Sequence, residues 1–235
     1  MGNNVIGLRD NDRVLVVAAH PDDEVLGCGG TIGLIAKTHG VHIHIAGEGL
    51  TARSDNRAQT GAAALSALHA DALQAAGIMG AELSLGGLPD NRFDTLPTLE
   101  LAKHVEAVIA KVHPTIVFTH FPGDLNVDHR RLFDAVMVAT RPMPSSPIRE
   151  VHCFEVLSST EWSFGLVNRA FNPQVFYDIS TTLEVKVQAL AAYRSEVRDY
   201  PHPRSLEGVR SSARRWGTVA GVDAAEAFVT VRQVR

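Results

Sequence analysis

The sequence predicts an α/β protein built on a doubly wound, mostly parallel sheet. Apolar strand-like runs and helical patterns alternate over the first 140 residues, the signature of such a sheet. The first run, Val14–Ala19, is continuously apolar, as expected of a strand covered on both faces. The chain has 235 residues, 45% hydrophobic and 20% charged. That suffices for one large core, so a single domain over residues 1–235 is expected.

Val14–Ala19 opens the sheet. Asp22–Lys37 reads as a helix, with Pro21 before it, acids in its first turn and Gly40 just past its end. Val41–Ala46 is a second strand. Arg57–Ala76 is an Ala-rich helix stopped by Gly77. Leu83–Leu85 is a short strand leading into Gly86-Gly87-Leu-Pro-Asp-Asn-Arg-Phe93. Thr98–Val112 is a helix behind Pro97. Thr115–Thr119 is a β-branched and aromatic strand ending at His120, and Leu132–Ala139 is helical. Val151–Leu157, Val175–Ile179 and Phe228–Val231 are later strands, expected as a mixed or antiparallel C-terminal edge. Thr181–Arg198 is a long amphipathic helix. Repeats and low-complexity linkers are missing, and the Pro/Ser-rich Arg141–Pro147 is a loop. The whole reads as Rossmann-like, with helices on both faces of the sheet.

Composition narrows the function. The net charge of −4 argues against a nucleic-acid footprint. Arg210, Arg214 and Arg215, the densest basic group, are too few for a polyanion groove. Cys28 and Cys153 form no C-x-x-C motif and suit a reducing compartment. Met1–Asp12 has no apolar signal-peptide core, and no stretch is long enough to span a membrane. The expected location is the cytoplasm. Eleven histidines raise the weight of metal or acid–base chemistry.

The chemistry concentrates where strands end. In an α/β sheet, ligands bind beyond the carboxyl ends of the strands. Val14–Ala19 runs directly into His20-Pro-Asp-Asp-Glu24. His20 and Asp23, three apart at the turn into a helix, can face one point, while Asp22 between them points elsewhere. A third ligand is sought in Phe121-Pro-Gly-Asp-Leu-Asn-Val-Asp-His129, which again follows a strand and whose His129 opens a helix. Two histidines, one carboxylate and an open position make a catalytic zinc site. Such a metal brings the pKa of water near neutrality, and a spare carboxylate can take the proton. The competing readings are a helix cap with surface acids for the first segment and polar loop residues for His120 and His129. Asp128 either orients a histidine or caps the helix.

Ala19-His-Pro-Asp-Asp-Glu24, followed by Val-Leu-Gly-Cys-Gly-Gly30, resembles the opening motif of the zinc-dependent deacetylases related to PIG-L and LmbE. Asp128-His129-Arg130 resembles their second motif. The Leu-Pro-Asp-Asn-Arg-Phe93 loop and the strand–helix order fall in family order, so the resemblance covers most of the chain. It implies removal of an acetyl group from an N-acetyl amino-sugar derivative, a small-molecule substrate. It further implies His20, Asp23 and His129 as metal ligands for Zn2+, with Fe2+ accepted by the same set, and Asp22 as the base. The resemblance alone suggests a homo-oligomer. One departure stands out: Asn126 occupies the position where many members carry an oxyanion-stabilising histidine. An amide can still donate to an oxyanion, but it cannot supply a proton. His202, in Tyr-Pro-His-Pro-Arg204, is the candidate for an acid other than Asp22.

Weaker signals remain. Gly27-Cys-Gly-Gly-Thr-Ile-Gly33 fails the dinucleotide pattern, because Ile32 stands at the third glycine. Its glycines are expected to let a helix pack closely on the sheet. Arg53 follows the second strand and resembles a substrate-contacting arginine of the family. Asp90, Asn91 and Arg92 offer acceptors and donors suited to sugar hydroxyls or a phosphate, against the alternative of an Asx-type turn. Trp162 is placed in the core, with stacking on a sugar as the alternative. Two rival functions are a non-haem iron oxygenase using two histidines and a carboxylate, and a non-catalytic sugar- or metal-binding module. The oxygenases with this ligand spacing sit on all-β barrels, and an intact Asp22 is superfluous in a binder.

Overall fold

The structure is a computed structural model describing residues 7–53, 61–165 and 170–235. Among these residues the strands are β1 (Arg13–Ala18), β2 (Gly40–Gly47), β3 (Glu82–Leu88), β4 (Ile116–His120), β5 (Glu150–Phe154), β6 (Val175–Asp178) and β7 (Ala225–Gln233). The helices are α1 (Asp23–Ile35), α2 (Ala62–Met79), α3 (Thr98–Val112), α4 (Val127–Ala139), α5 (Leu183–Ala192) and α6 (Leu206–Ala220). The strands form one sheet in the order β3-β2-β1-β4-β5-β7-β6. The first five pair in parallel. β7 pairs antiparallel with both β5 and β6, which makes the mixed edge.

Alternation in the strand sequences explains the two cores. Val14, Val16, Ala18, Ile43 and Ile45 face one side, with residues of α1, α2 and α5. Leu15, Val17 and Ala19 face the other, with α3 and α4. The expected covering of both faces is therefore met. The strand order reverses direction between β1 and β4, so the loops after these two strands diverge over a crevice. Those are the loops carrying His20 and His129.

The boundaries differ from expectation for local reasons. α4 starts at Val127 because the Asn126 side chain accepts the Asp128 N–H at 2.8 Å. The helix expected over 181–198 stops at Ala192, where the buried Tyr193 donates its hydroxyl to Glu24 at 2.6 Å. Arg57–Thr60, the start of the second expected helix, lie outside the described residues. α6 was not expected, although its signals are in the sequence. Ser205 caps it, Gly221 ends it in the left-handed region, and Val209, Ala213, Trp216 and Gly217 form its buried stripe.

α1 is broken in the middle. Cys28 has φ −148° and ψ 23°, so backbone groups on either side lose their helical partners. Lys186 Nζ donates to the Leu26 carbonyl at 2.8 Å. Glu226 accepts the Gly30 and Thr31 amides at 3.0 and 2.7 Å. The two side chains pair with each other at 2.5 Å. Close packing requires the flanking glycines, as expected: a Cβ on Gly27 would overlap the Phe154 ring, and one on Gly30 would lie 2.7 Å from Ile179.

Candidate active site

The first half of α1 is aimed by its cap. Asp22 adopts φ 100°, an unusual conformation for a residue with a side chain. Its carbonyl accepts the Val25 and Leu26 amides, and its own N–H goes to Glu24 at 3.2 Å. This turn separates Asp22 from Asp23, so the two carboxylates face different partners. Asp23 approaches His20 Nδ1 at 3.4 Å and His129 Nε2 at 3.2 Å. One nitrogen from each histidine and one Asp23 oxygen all lie within 4.8 Å of one another, and all three residues are buried. The other face of His20 meets two more carboxylates: Nε2 lies 3.0 Å from Asp128 and 3.3 Å from Asp90. His129 Nδ1 lies 3.2 Å from Asp124.

Electrostatics show what this cluster favours. Burial opposes charge on His20, yet Asp128 and Asp23 raise its pKa to about 10. Burial likewise opposes charge on His129, and Asp23 and Asp124 raise it to about 9. Against burial, the neighbouring His129 holds Asp23 well below the usual carboxylate range. The residues thus attract positive charge to the nitrogens of His20 and His129. A divalent cation fits this donor set and would displace the protons. Asp22 behaves oppositely: burial and then the Asp23 charge push it well above the ordinary value. Arg204, whose Nη1 lies 3.0 Å from Asp22 and 3.4 Å from Glu196, limits that rise.

His20, Asp22, Asp23, Asp90 and His129 line a cleft of about 230 Å³, and Asn91, Asn126, Ser158 and Ser159 complete its wall. A larger groove of about 1090 Å³ lies at the opposite ends of β1–β3, beside Asp10, His42 and Lys111. It lacks a convergent ligand set among the described residues, so the smaller cleft is the candidate site.

A family model described as "PIG-L: GlcNAc-PI de-N-acetylase" matches residues 15–140. This span holds the loops carrying His20 and His129 and more than half of the chain. The chain belongs to the PIG-L family. A similar curated protein is a probable N-acetyl-α-D-glucosaminyl L-malate deacetylase 2 of Bacillus cereus. It is 29% identical over 192 residues, covering 78% of this chain and 83% of that one. Among solved structures, the fold resembles N,N′-diacetylchitobiose deacetylase from Pyrococcus horikoshii. The TM-score is 0.74 at 21% identity, over 94% of this chain and 84% of that one. It also resembles 4-carboxy-2-hydroxymuconate hydratase from Pseudomonas putida, with a TM-score of 0.72 at 21% identity, over 95% and 98% of the two chains.

In this PIG-L chain the structure brings together His20, Asp22, Asp23, Asp90, Asn126 and His129. Other expected residues stand differently. The Arg53 side chain lies outside the described residues. Arg92 is exposed and is not among the cleft-lining residues; Asn91, its neighbour, is. Asp90 is directed at His20, and its second oxygen accepts the Ala52 N–H at 3.1 Å, so it is engaged with the cluster as well as the cleft. His202 is not among the lining residues. Its ring packs against Trp162 and its Nδ1 accepts the Arg204 N–H. Arg204, two residues on, is the one that reaches Asp22. Trp162 is 39% exposed and not a core residue. Asp128 does not cap α4. It accepts from His20 and from the Phe93 N–H at 2.9 Å.

Sequence reasoning missed several residues in this PIG-L site. Asp124 and Arg204 stood within segments already singled out, and Glu24 stood within the first motif. Glu196 carried no signal, because only the fold brings it to Arg204. His120 is buried, accepts the Ala19 N–H at 2.8 Å through Nε2, and stacks on His129 with ring centroids 4.0 Å apart. It backs the His129 ring.

Proposed function

We propose that the chain is a metal-dependent hydrolase that removes the N-acetyl group of an amino-sugar derivative, as one domain over residues 1–235. The observation that carries this is the convergence of His20, Asp23 and His129, with Asp22 in the same cleft. His20, Asp23 and His129 would hold one divalent ion, Zn2+ or Fe2+. When bound, such an ion supplies Lewis acidity, polarising the acetamide carbonyl and lowering the pKa of water. Asp22 takes the proton of the attacking water. Its raised pKa suits a group that must both accept this proton and return it to the leaving amine. The Asn126 Oδ1 is occupied by the helix cap, and its NH2 group, 3.5 Å from Asn91 Oδ1 in the cleft wall, would turn to donate to the developing oxyanion. The names of the Bacillus and Pyrococcus proteins support an N-acetylglucosamine derivative as substrate. Two buried free thiols, Cys28 and Cys153, support a reducing compartment such as the cytoplasm. Among the described residues no helix is long and apolar enough to cross a membrane.

The test is acetate release from N-acetylglucosamine and its glycosides by zinc-loaded protein, alongside metal analysis. About one ion per chain is expected, falling sharply in His20→Ala, Asp23→Ala or His129→Ala. Metal-loaded protein that frees no acetate from any of these compounds would overturn the hydrolase reading. Full metal content in all three variants would overturn the ligand assignment.

A further inference from the structure

Asn126, Asn91, Asp90 and His20, all in the cleft wall, join into one polar row. Its direction is fixed at both ends. The Asp128 N–H can only donate, so Asn126 presents Oδ1 to it at 2.8 Å. That aims the Asn126 NH2 group at Asn91 Oδ1, 3.5 Å away. Asn91 Nδ2 in turn donates to Asp90 Oδ1 at 3.0 Å, and an ionised carboxylate can only accept. The same Asp90 oxygen lies 3.3 Å from His20 Nε2. Flipping either amide would set donor against donor or acceptor against acceptor. Asn91 owes its place to its backbone. Its φ of 51° is left-handed, a region Asn visits more readily than other residues with a side chain, glycine aside. The turn after β3 thus carries an amide that a glycine there would not supply.

We infer that Asn91 is a positioning residue for the reaction, holding the Asn126 amide so that it donates to the developing oxyanion. An amide nitrogen has two N–H groups. Asn91 engages one, and the second is the donor. At 3.5 Å the contact is at the long limit of a hydrogen bond, which leaves the group room to turn as the oxyanion forms. The helix cap holds the Oδ1 end of the same amide, so Asn126 is steered from both ends. The inference rests on the deacetylase reading and adds to it a residue outside the ligand set that acts through another side chain.

The experiment uses zinc-loaded protein and whichever N-acetylglucosamine compound the wild type turns over fastest. Asn126→Ala removes the donor and should lower kcat by about 10²-fold. Asn91→Gly keeps the left-handed turn and removes the amide. It should lower kcat by about tenfold, with KM and metal content unchanged. In the Asn126→Ala background, adding Asn91→Gly should cost less than about twofold more, because the group it positions is gone. An unchanged kcat in Asn91→Gly, or losses that multiply in the double variant, overturn the inference. So does loss of metal in Asn91→Gly, which would place its action on His20 through Asp90. NMR relaxation of the Asn126 side-chain amide gives a readout without turnover. Its order parameter should fall in Asn91→Gly, and an unchanged value overturns the inference. If the wild type frees no acetate from any compound, the hydrolase reading fails on its own. The relaxation measurement then decides whether Asn91 holds that amide.

Discussion

Neighbouring acids in one motif end in opposite chemical states. Asp23 faces two imidazoles and stays ionised, while Asp22, turned away at φ 100° and buried, is pushed upward. Asp22→Asn keeps the shape and removes the proton acceptor. Its metal content should match the wild type and kcat should fall by about 10²–10⁴-fold. Loss of metal in Asp22→Asn with retention in Asp23→Asn would show the two roles reversed. Asp128 and Asp90 both press on the Nε2 side of His20, which fixes the ring so that Nδ1 faces Asp23. Carboxylates so placed behind a ligand histidine contribute about 10–100-fold to metal affinity. Asp128→Asn and Asp90→Ala should therefore both weaken metal binding in a competition assay with a chelator. From sequence, Asp90 was expected to read the sugar and leave the metal untouched. Its contact with His20 adds support of that ring to its place in the cleft lining.

At the scale of elements, the broken α1 is the feature on which the site depends. Its first turn carries Asp23, and its second half is anchored in the sheet. The break leaves a carbonyl and two amides that Lys186 and Glu226 satisfy from α5 and β7. Removing one member of a buried pair leaves the other charge uncompensated, at a cost of about 3–5 kcal/mol. Lys186→Met should lower the denaturation midpoint accordingly. Lys186→Met combined with Glu226→Gln should recover part of that loss, since no lone charge remains. A double variant as destabilised as the sum of the two singles would show that the pair acts independently, not as one splint.

For the whole molecule, acid stability has identifiable sources. Burial and its neighbours hold His44 down to a pKa of about 3, and burial and Arg149 hold His152 at about 4. Both fold as neutral rings: His44 is bonded to Ser84 and His104, and His152 to Thr230 and Glu150. A histidine whose pKa is depressed by folding contributes stability that is complete above its unfolded value near 6.5. That contribution is lost as pH falls toward the folded value. Between pH 6.5 and 5, each such group removes about 1.4 kcal/mol per pH unit. In metal-free protein, His20 and His129 stay protonated in the folded state throughout this window, so they oppose the decline only near pH 6.5, where the unfolded rings lose protons. Denaturant titrations should show His44→Gln with a shallower decline than the wild type over this window. An identical decline would exclude His44 as a source. The fold itself leaves the reaction open, since similar sheets carry both a deacetylase and a hydratase by name. The groups around His20, not the sheet, must decide it. The oxygenase alternative loses its footing here, because it was tied to an all-β barrel and the sheet is open and mostly parallel.

The sequence by itself determined the sheet and the ligand loops. Continuous apolar runs such as Val14–Ala19 have no stable place except between two covered faces. A histidine–carboxylate group at the end of such a run is local in the chain and so is readable there. The missed helix α6 was readable too, from its Ser205 cap, Gly221 stop and buried stripe. What only the tertiary structure decided are the partners far apart in sequence. Arg204 lies 182 positions from Asp22 and Lys186 160 from Leu26, while Asp90 and Asp128 converge on one face of His20 from the loop after β3 and the first turn of α4. A charge announces its own presence in a sequence, but the field it meets depends on burial and on distances across the fold. That is why the His-Pro-Arg loop pointed to His202, while it is Arg204 beside it that reaches the proposed base.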